Sequence, residues 1–417
     1  MPPRDAAAPG SLMMAWIALL LMAVLLFAAF SRRLEMSLFT MPIAFTALGY
    51  LLHLGGARLL GEEAGFAALH LIAEITLVLL LFSDASKVRF DHLRMHAWVP
   101  MRMLLVAMPL SLAAGTLVAY AVSPGEPLAF AVLVAAILTP TDAALGQAVV
   151  ENEAVPDDLR EAIAVESGLN DGLALPVVIV AGIGAALATG GMAHHQQDNV
   201  WLFAIAQIAL GPVAGLATGF LAAKLRDVVV ARDLATDAYQ GISFIAAAFL
   251  CFAVAETIGG NGLIAAFVGG LTFGNVRSSA NPFVAEFMES EGRLLTMATF
   301  AIFGAVLVPR GVEHASLPTV LLAVGFLTVV RIVPVVVSLA GTGLAWREKL
   351  FLGWFGPRGL ASILFALLVM EGFDFPAMDE LVACVVLTVL LSIMAHGASA
   401  QPIARAFARR AQRAGSR

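Results

Sequence analysis

The chain has 417 residues, 60% of them hydrophobic, with only 13% charged residues and a mean hydropathy of +0.91. Soluble domains average roughly 25% charged residues, so charges are too few here to coat the two or three soluble domains such a length would allow. The net charge of −6 says little, because in a polytopic membrane protein the placement of charge matters more than its sum.

The first apolar run, 12–30, is longer than the roughly 7–15 residues of a signal-peptide core. Arg32-Arg33 follow it without a convincing cleavage site, so it reads as a retained transmembrane helix. A run of about 17–25 apolar residues crosses a hydrocarbon core of about 30 Å. Further candidates lie at 37–54, 66–83, 98–122, 128–150, 162–189 and 200–223. The rest are 239–258, 261–276, 286–308, 317–340, 348–370 and 379–400, for thirteen in all.

Thirteen spans put the termini on opposite sides. With a cytoplasmic C-terminus, eighteen of the 24 Lys and Arg are cytoplasmic, among them Arg32, Arg33, Lys87, Arg94, Arg347 and the tail from Arg405. Arg4, Arg58 and Arg310 fall outside, and Arg102, Arg331 and Arg358 lie at or within spans. That is the positive-inside bias. The predicted topology is N-terminus outside, C-terminus cytoplasmic, in an all-α polytopic membrane protein.

No segment is polar enough to be a soluble domain, so 1–417 reads as one membrane domain, with 401–417 a short basic tail near anionic lipid. Cys251 and Cys384 lie in apolar runs, which leaves no disulfide framework and no Cys-based metal site. No cofactor and no nucleic-acid partner is expected.

Two spans break near their centres. The fifth carries Thr139-Pro140-Thr141-Asp142, where Pro140 has no N–H to give and disfavours helix at Thr139. The twelfth carries Gly356-Pro357-Arg358-Gly359. Pairing spans 1–6 with 8–13 matches the two breaks in halves of opposite direction, and such discontinuous helices point to a transporter's midplane site.

The sixth span contains Glu166-Ser167-Gly168-Leu169-Asn170-Asp171-Gly172. Glu166 and Asn170 stack on one strip, with Ser167 and Asp171 beside it. Gly168 and Gly172 let a neighbour come close, and the fifth span is the expected one. Glu74, Asp142, Glu166, Asp171, Arg331 and Arg358 are ionisable groups at mid-span. Left unpaired they would cost roughly 15–20 kcal/mol together.

Glu166 reads as a structural ion pair with Arg331 or Arg358. Acids outnumber bases in this set, so at least one carboxylate must take a proton or a metal ion. Asp171, Asp142, Ser167, Thr141 and Thr139 supply the oxygen ligands that a hard monovalent cation such as Na⁺ wants. A site that holds H⁺ or a cation, but not both, is an exchanger.

These residues resemble the NhaP/NHE-type cation:proton antiporters of the first cation:proton antiporter family. The resemblance rests on Glu166-Ser167-Gly168-Leu169-Asn170-Asp171, Thr141-Asp142 at the fifth-span break, and Leu80-Leu81-Phe82 after Glu74. Arg331 and Gly356-Pro357-Arg358-Gly359 complete it. It implies that Asp171 alternately carries cation and proton, with Thr141, Ser167 and Glu74 as further Na⁺ ligands. Asp142 would balance the dipoles of its own break, and Arg358 would offset half-helix ends in the twelfth span. Glu166 would pair with Arg331, with Asn170 bonded nearby.

Asn170 before Asp171 goes with electroneutral one-for-one exchange in this family. The resemblance further implies an elevator-type homodimer in the bacterial inner membrane, with a moving core (about 98–189 and 317–400) and a scaffold (about 12–83 and 200–308). Many members read T-D-P at the fifth-span break, whereas here Pro140 precedes Thr141 and Ala143 follows Asp142. The residues do not choose between Na⁺ and K⁺ or Li⁺.

Other classes fit less well. A sodium-coupled organic-solute symporter would need substrate-ordering groups that are not found. An intramembrane protease would need a dyad, a metal motif or paired aspartates; Gly397-Ala398-Ser399-Ala400 faintly resembles a rhomboid serine without its dyad. His70 lies one helical turn before Glu74, where it either tunes a pH response or is a satisfied interior histidine.

Overall fold

The computed structural model describes residues 9–34, 40–55, 62–89, 98–142, 145–146, 149, 155–193, 200–278 and 281–415. Arg4, Arg58, Arg94, Ala143 and Arg417 lie outside the described residues, as do the side chains of Arg32, Arg33, Arg409, Arg410 and Arg413.

The described residues are helical almost throughout. In order come α1 (Pro9–Leu34), α2 (Met41–Leu54), α3 (Glu62–Lys87) and α4 (Trp98–Val122). A π turn at Met103–Ala107 interrupts α4 just before Pro109, which has no N–H for the helical ladder. α5 (Leu128–Leu138), α6 (Asp157–Thr189), α7 (Val200–Ala231), α8 (Asp237–Thr257) and α9 (Gly262–Val276) follow. Next are α10 (Pro282–Glu313), α11 (Leu317–Leu327), α12 (Val329–Ser338), α13 (Trp346–Trp354), α14 (Leu360–Gly372) and α15 (Met378–Gly415). Among the described residues one strand pair exists, a two-residue antiparallel contact of Met192–Ala193 with Phe373–Asp374.

Eight described helices, α11 and α12 taken together as Leu317–Ser338, are long and apolar enough to cross a membrane, and five shorter apolar helices accompany them. Two of the short ones, α5 and α14, are short because they stop at the interruptions expected from Pro140 and Pro357. Residues 139–142 and 355–359 are non-helical, Leu145 and Gly146 are again helical, and helix resumes at Leu360. A third irregularity carries no proline at its position. Thr328 (φ −119°, ψ −95°) separates α11 from α12 within one apolar run, and its hydroxyl donates to the Val324 carbonyl at 2.6 Å. Back-bonding of this kind bends helices, and it aims Arg331 inward one turn later.

Small residues set the closest packing, as expected where lipid supplies no hydrophobic drive between helices. Gly211, Gly215 and Gly219 bring α7 onto the backbone of α9 at Asn261, Ala265 and Gly269. Gly270 and Gly274 bring the other side of α9 onto α3 at Phe82 and Ser86. Gly168 and Gly172 of α6 also face α9, against Phe267 and Ile264. The expectation that this glycine pair receives the fifth span is therefore corrected.

Candidate ion-binding site

The two helix breaks meet. The Asp142 backbone N–H donates to the Pro357 carbonyl at 2.8 Å, and Asp142 Oδ2 accepts from the Leu360 N–H at 2.6 Å. Arg358 Nη1 donates to the Thr139 carbonyl and, at 2.7 Å, to the Pro140 carbonyl. Ser362 adds a bond from its hydroxyl to the Ile137 carbonyl at 3.0 Å.

Helix ends carry partial charge, positive at the N–H end and negative at the carbonyl end. The anion of the first break thus caps the N-terminus of α14, and the cation of the second break caps the C-terminus of α5. Each charge serves the opposite broken helix. The roles implied by resemblance are corrected to that extent: Arg358 satisfies carbonyls of the fifth span, and Asp142 a half-helix of the twelfth.

α6 runs past this crossing and is buried where it does so. Glu166 (1% exposed) accepts both Nη1 and Nη2 of Arg331 (2% exposed), the latter at 2.6 Å to Oε2. This is the two-pronged geometry in which a guanidinium binds a carboxylate most strongly. Of the two arginines that the residue pattern allowed, Arg331 is the partner. One strip further round, the Ser167 hydroxyl shares a hydrogen bond with Thr141 Oγ1 at 2.9 Å, and Asn170 Nδ2, on the strip of Glu166, donates to the same Thr141 oxygen at 2.8 Å. Thr141 thereby ties the first break to α6. Thr139 lies at the crossing too, with its hydroxyl buried and unpartnered among the described residues.

Asp171 is 2% exposed, and its Oδ1 has no hydrogen-bond partner among the described residues. The charged groups that act on it are Asp142, Glu166 and Arg358. It faces a cavity of about 20 Å³, together with Asp142, Ser167, Gly168, Leu77, Leu81 and Asp84. A cavity needs about 10–15 Å³ of such volume to hold one water molecule. The space therefore suits one small ion or one to two waters, and its polar lining consists of hard oxygen donors.

Of the residues expected to hold the ion, Asp171, Asp142 and Ser167 line this cavity and Thr141 is one hydrogen bond away. Glu74 does not line it. It shares its surroundings with His70, Glu371 and Glu256, ten residues or about 15 Å along α3 from Asp84. His70 Nδ1 lies 2.9 Å from both carboxylate oxygens of Glu371, linking α3 to α14.

Sequence reasoning missed Asp84 because it stands at the end of an apolar run, beside Lys87, to which it is paired at 3.0 Å. Helical spacing was the available signal: Leu77, Leu80, Leu81 and Asp84 fall at i, i+3, i+4 and i+7, on one face. Asp84 is 30% exposed where the other cavity acids are almost fully covered, so the cavity reaches the protein surface at its end.

Crossed helix breaks, buried charges and a small acidic cavity among the described residues define a multi-pass membrane protein with a candidate ion-binding site. The model for the family described as sodium/hydrogen exchanger, transmembrane, matches residues 17–406, and the chain belongs to that family. Among curated relatives, a Na⁺/H⁺ antiporter of Saccharomyces cerevisiae is 25% identical over 79% of this chain and 36% of its own length. A K⁺/H⁺ antiporter NhaP2 of Shewanella baltica is 22% identical over 82% of this chain and 58% of its own. The chain thus spans about a third to three fifths of these relatives' length. The solved sodium proton antiporter MjNhaP1 from Methanocaldococcus jannaschii shares the fold, with a TM-score of 0.74 and 20% identity over 94% of this chain and 98% of that one.

Proposed function

We propose that the protein is a secondary active Na⁺/H⁺ antiporter in which Asp171 alternately binds cation and proton. The observation that carries this reading is the buried Asp171 oxygen, without a hydrogen-bond donor among the described residues, set in a cavity the size of one ion. A carboxylate so placed needs either a proton or a cation, and competition between the two is exchange. Asp84, Asp142, Ser167 and, through Ser167, Thr141 complete the oxygen set, with Asp84 in the role that resemblance gave to Glu74. No cofactor takes part.

The chain crosses the bacterial inner membrane thirteen times, N-terminus outside, in two inverted halves. Residues 98–189 and 317–400 carry Asp142, Ser167 and Asp171 as a moving core against a scaffold of 12–83 and 200–308, with Asp84 at the scaffold's edge on α3, and two copies pair through their scaffolds. Exchange is one-for-one and electroneutral. Eight long and five shorter apolar helices, the reciprocal capping of two breaks and the glycine-faced contact of α6 with α9 support this picture. A K⁺/H⁺ exchanger is the second reading, favoured by the name of the Shewanella relative. The small cavity argues against an organic-solute symporter.

The test is ion-driven proton movement in proteoliposomes with an internal pH dye, comparing NaCl, KCl and LiCl under a potassium/valinomycin clamp. Na⁺-driven, voltage-independent flux that disappears in a folded Asp171→Asn variant is the expected result. Flux with KCl alone would keep the mechanism and change the substrate. Wild-type rates in Asp171→Asn would remove the site assignment, and silence with every cation from folded protein would overturn the antiporter reading.

A further inference from the structure

The second break exposes backbone groups that need partners, because nothing in hydrocarbon replaces a lost hydrogen bond. Asp142 supplies two, through its N–H on Pro357 and its carboxylate on Leu360. The Gly356 N–H turns back to the Trp354 carbonyl at 2.9 Å, and further partners come from α15. Ser392 Oγ accepts the Arg358 backbone N–H at 2.7 Å. His396 Nε2 lies 2.9 Å from the Trp354 carbonyl at the end of α13, and the Trp354 indole N–H donates to Ser399 Oγ at 2.9 Å.

Positions 392, 396 and 399 follow one another at steps of four and three residues and so share one face of α15. Ser392 and His396 are both buried. The imidazole lies tilted against the Trp354 ring, with centroids 5.1 Å apart.

A carbonyl only accepts, and each ring nitrogen faces one, Nε2 that of Trp354 and Nδ1 that of Ser392, so each contact is a bond when its nitrogen carries the hydrogen. The Ser392 hydroxyl also lies 3.2 Å from Nδ1. The serine oxygen meanwhile receives the Arg358 N–H. The chain from Arg358 through Ser392 and His396 to Trp354 therefore bridges the break from end to end. Nδ1 also lies 2.9 Å from the Ser392 carbonyl, which places the ring against its own helix turn.

We infer that Ser392, His396 and Ser399 form a cradle on α15 that positions the second helix break, and through it the ion site. The path is short. Arg358 holds the Thr139 and Pro140 carbonyls, and Pro357 and Leu360 hold Asp142, which lines the cavity with Asp171. A cradle that slackens lets the break drift and moves Asp142, so cation affinity falls. None of the three residues lines the cavity, which makes them positioning residues. The inference rests on the antiporter reading above.

The test is the cation dependence of proton flux in proteoliposomes for His396→Leu, His396→Gln, His396→Asn and Ser392→Ala, beside wild type. Loss of one buried hydrogen bond corresponds to about a tenfold change in an equilibrium. His396→Leu and Ser392→Ala should raise the apparent KM for Na⁺ about tenfold, with kcat within about threefold of wild type. The amide nitrogen of Gln reaches the place of Nε2 and that of Asn does not, so Gln should restore KM and Asn should not.

A residue that merely fills space would not separate Gln from Asn. If His396→Leu fails to fold, Ser392→Ala, a change of one oxygen, carries the test. Folded His396→Leu or Ser392→Ala protein with wild-type KM, or equal behaviour of Gln and Asn, would overturn the cradle. Absence of exchange in wild type with every cation would instead overturn the antiporter reading, so the two failures are distinct.

Discussion

Glu166 and Asp171 lie five residues apart on α6, and both are buried. Their surroundings give them opposite tasks. Glu166 is held by two nitrogens of Arg331, whereas Asp171 keeps an oxygen without a donor among the described residues. Removing one partner of a buried ion pair leaves an uncompensated charge, a loss of about 3–5 kcal/mol. Glu166→Gln should therefore lower the melting temperature strongly while leaving the KM of the surviving folded fraction within about threefold. Thermal unfolding in detergent, read beside flux, checks this; a stable variant with a large KM shift would mean that Glu166 contacts the ion. Asp171, Asp142 and Ser167 are legible in the amino-acid sequence as site residues, since charge at mid-span is expensive and therefore rare. Asp84 is not, because its charge sits where a solvated loop would also place one.

At the scale of elements, proline marks what can be read and its absence what cannot. Pro140 and Pro357 announce their breaks, but Thr328 bends its run through a hydroxyl back-bond that composition does not distinguish from an ordinary threonine. The glycine pair of α6 is legible as a close contact, although its partner is not, because small-residue spacing says nothing about which helix fills the gap. A Cβ at Gly168 would meet the Phe267 ring, and one at Gly172 the Ile264 side chain and backbone. Asn261 Nδ2, at the start of α9, also donates to the Gly172 carbonyl at 3.3 Å. Gly172→Val should therefore destabilise by about 1–3 kcal/mol through overpacking and slow turnover, whereas Ala at the same position should do less. Melting temperature and kcat are the measurements, and unchanged values in the Val variant would show that α6 and α9 are free to separate.

For the molecule as a whole, the distribution of Lys and Arg predicts orientation, and single cysteines can read it. Cys251 and Cys384 are buried, so their background labelling should be low. A Cβ at Gly125 meets nothing within 4 Å, and Ala340 is exposed. Gly125→Cys should react with an impermeant maleimide from outside intact cells, and Ala340→Cys only after permeabilisation. The reverse pattern would invert the topology and with it the direction in which the cavity opens at Asp84.

The Glu166–Arg331 pair has a consequence in time as well as in energy. Its members stand 165 residues apart in the chain, and Arg358 stands 219 residues after the Thr139 carbonyl it caps. At about 5–20 residues per second of synthesis, roughly 10 to 40 s separate the arrival of the acids from that of the arginines. An ionised acid alone at a helix centre costs about 2.5–3.5 kcal/mol, so during that interval Glu166 either carries a proton or stays in the watery vestibule of the insertion machinery. The first half of the chain is thus made with a defect that only the second half, arriving later, repairs.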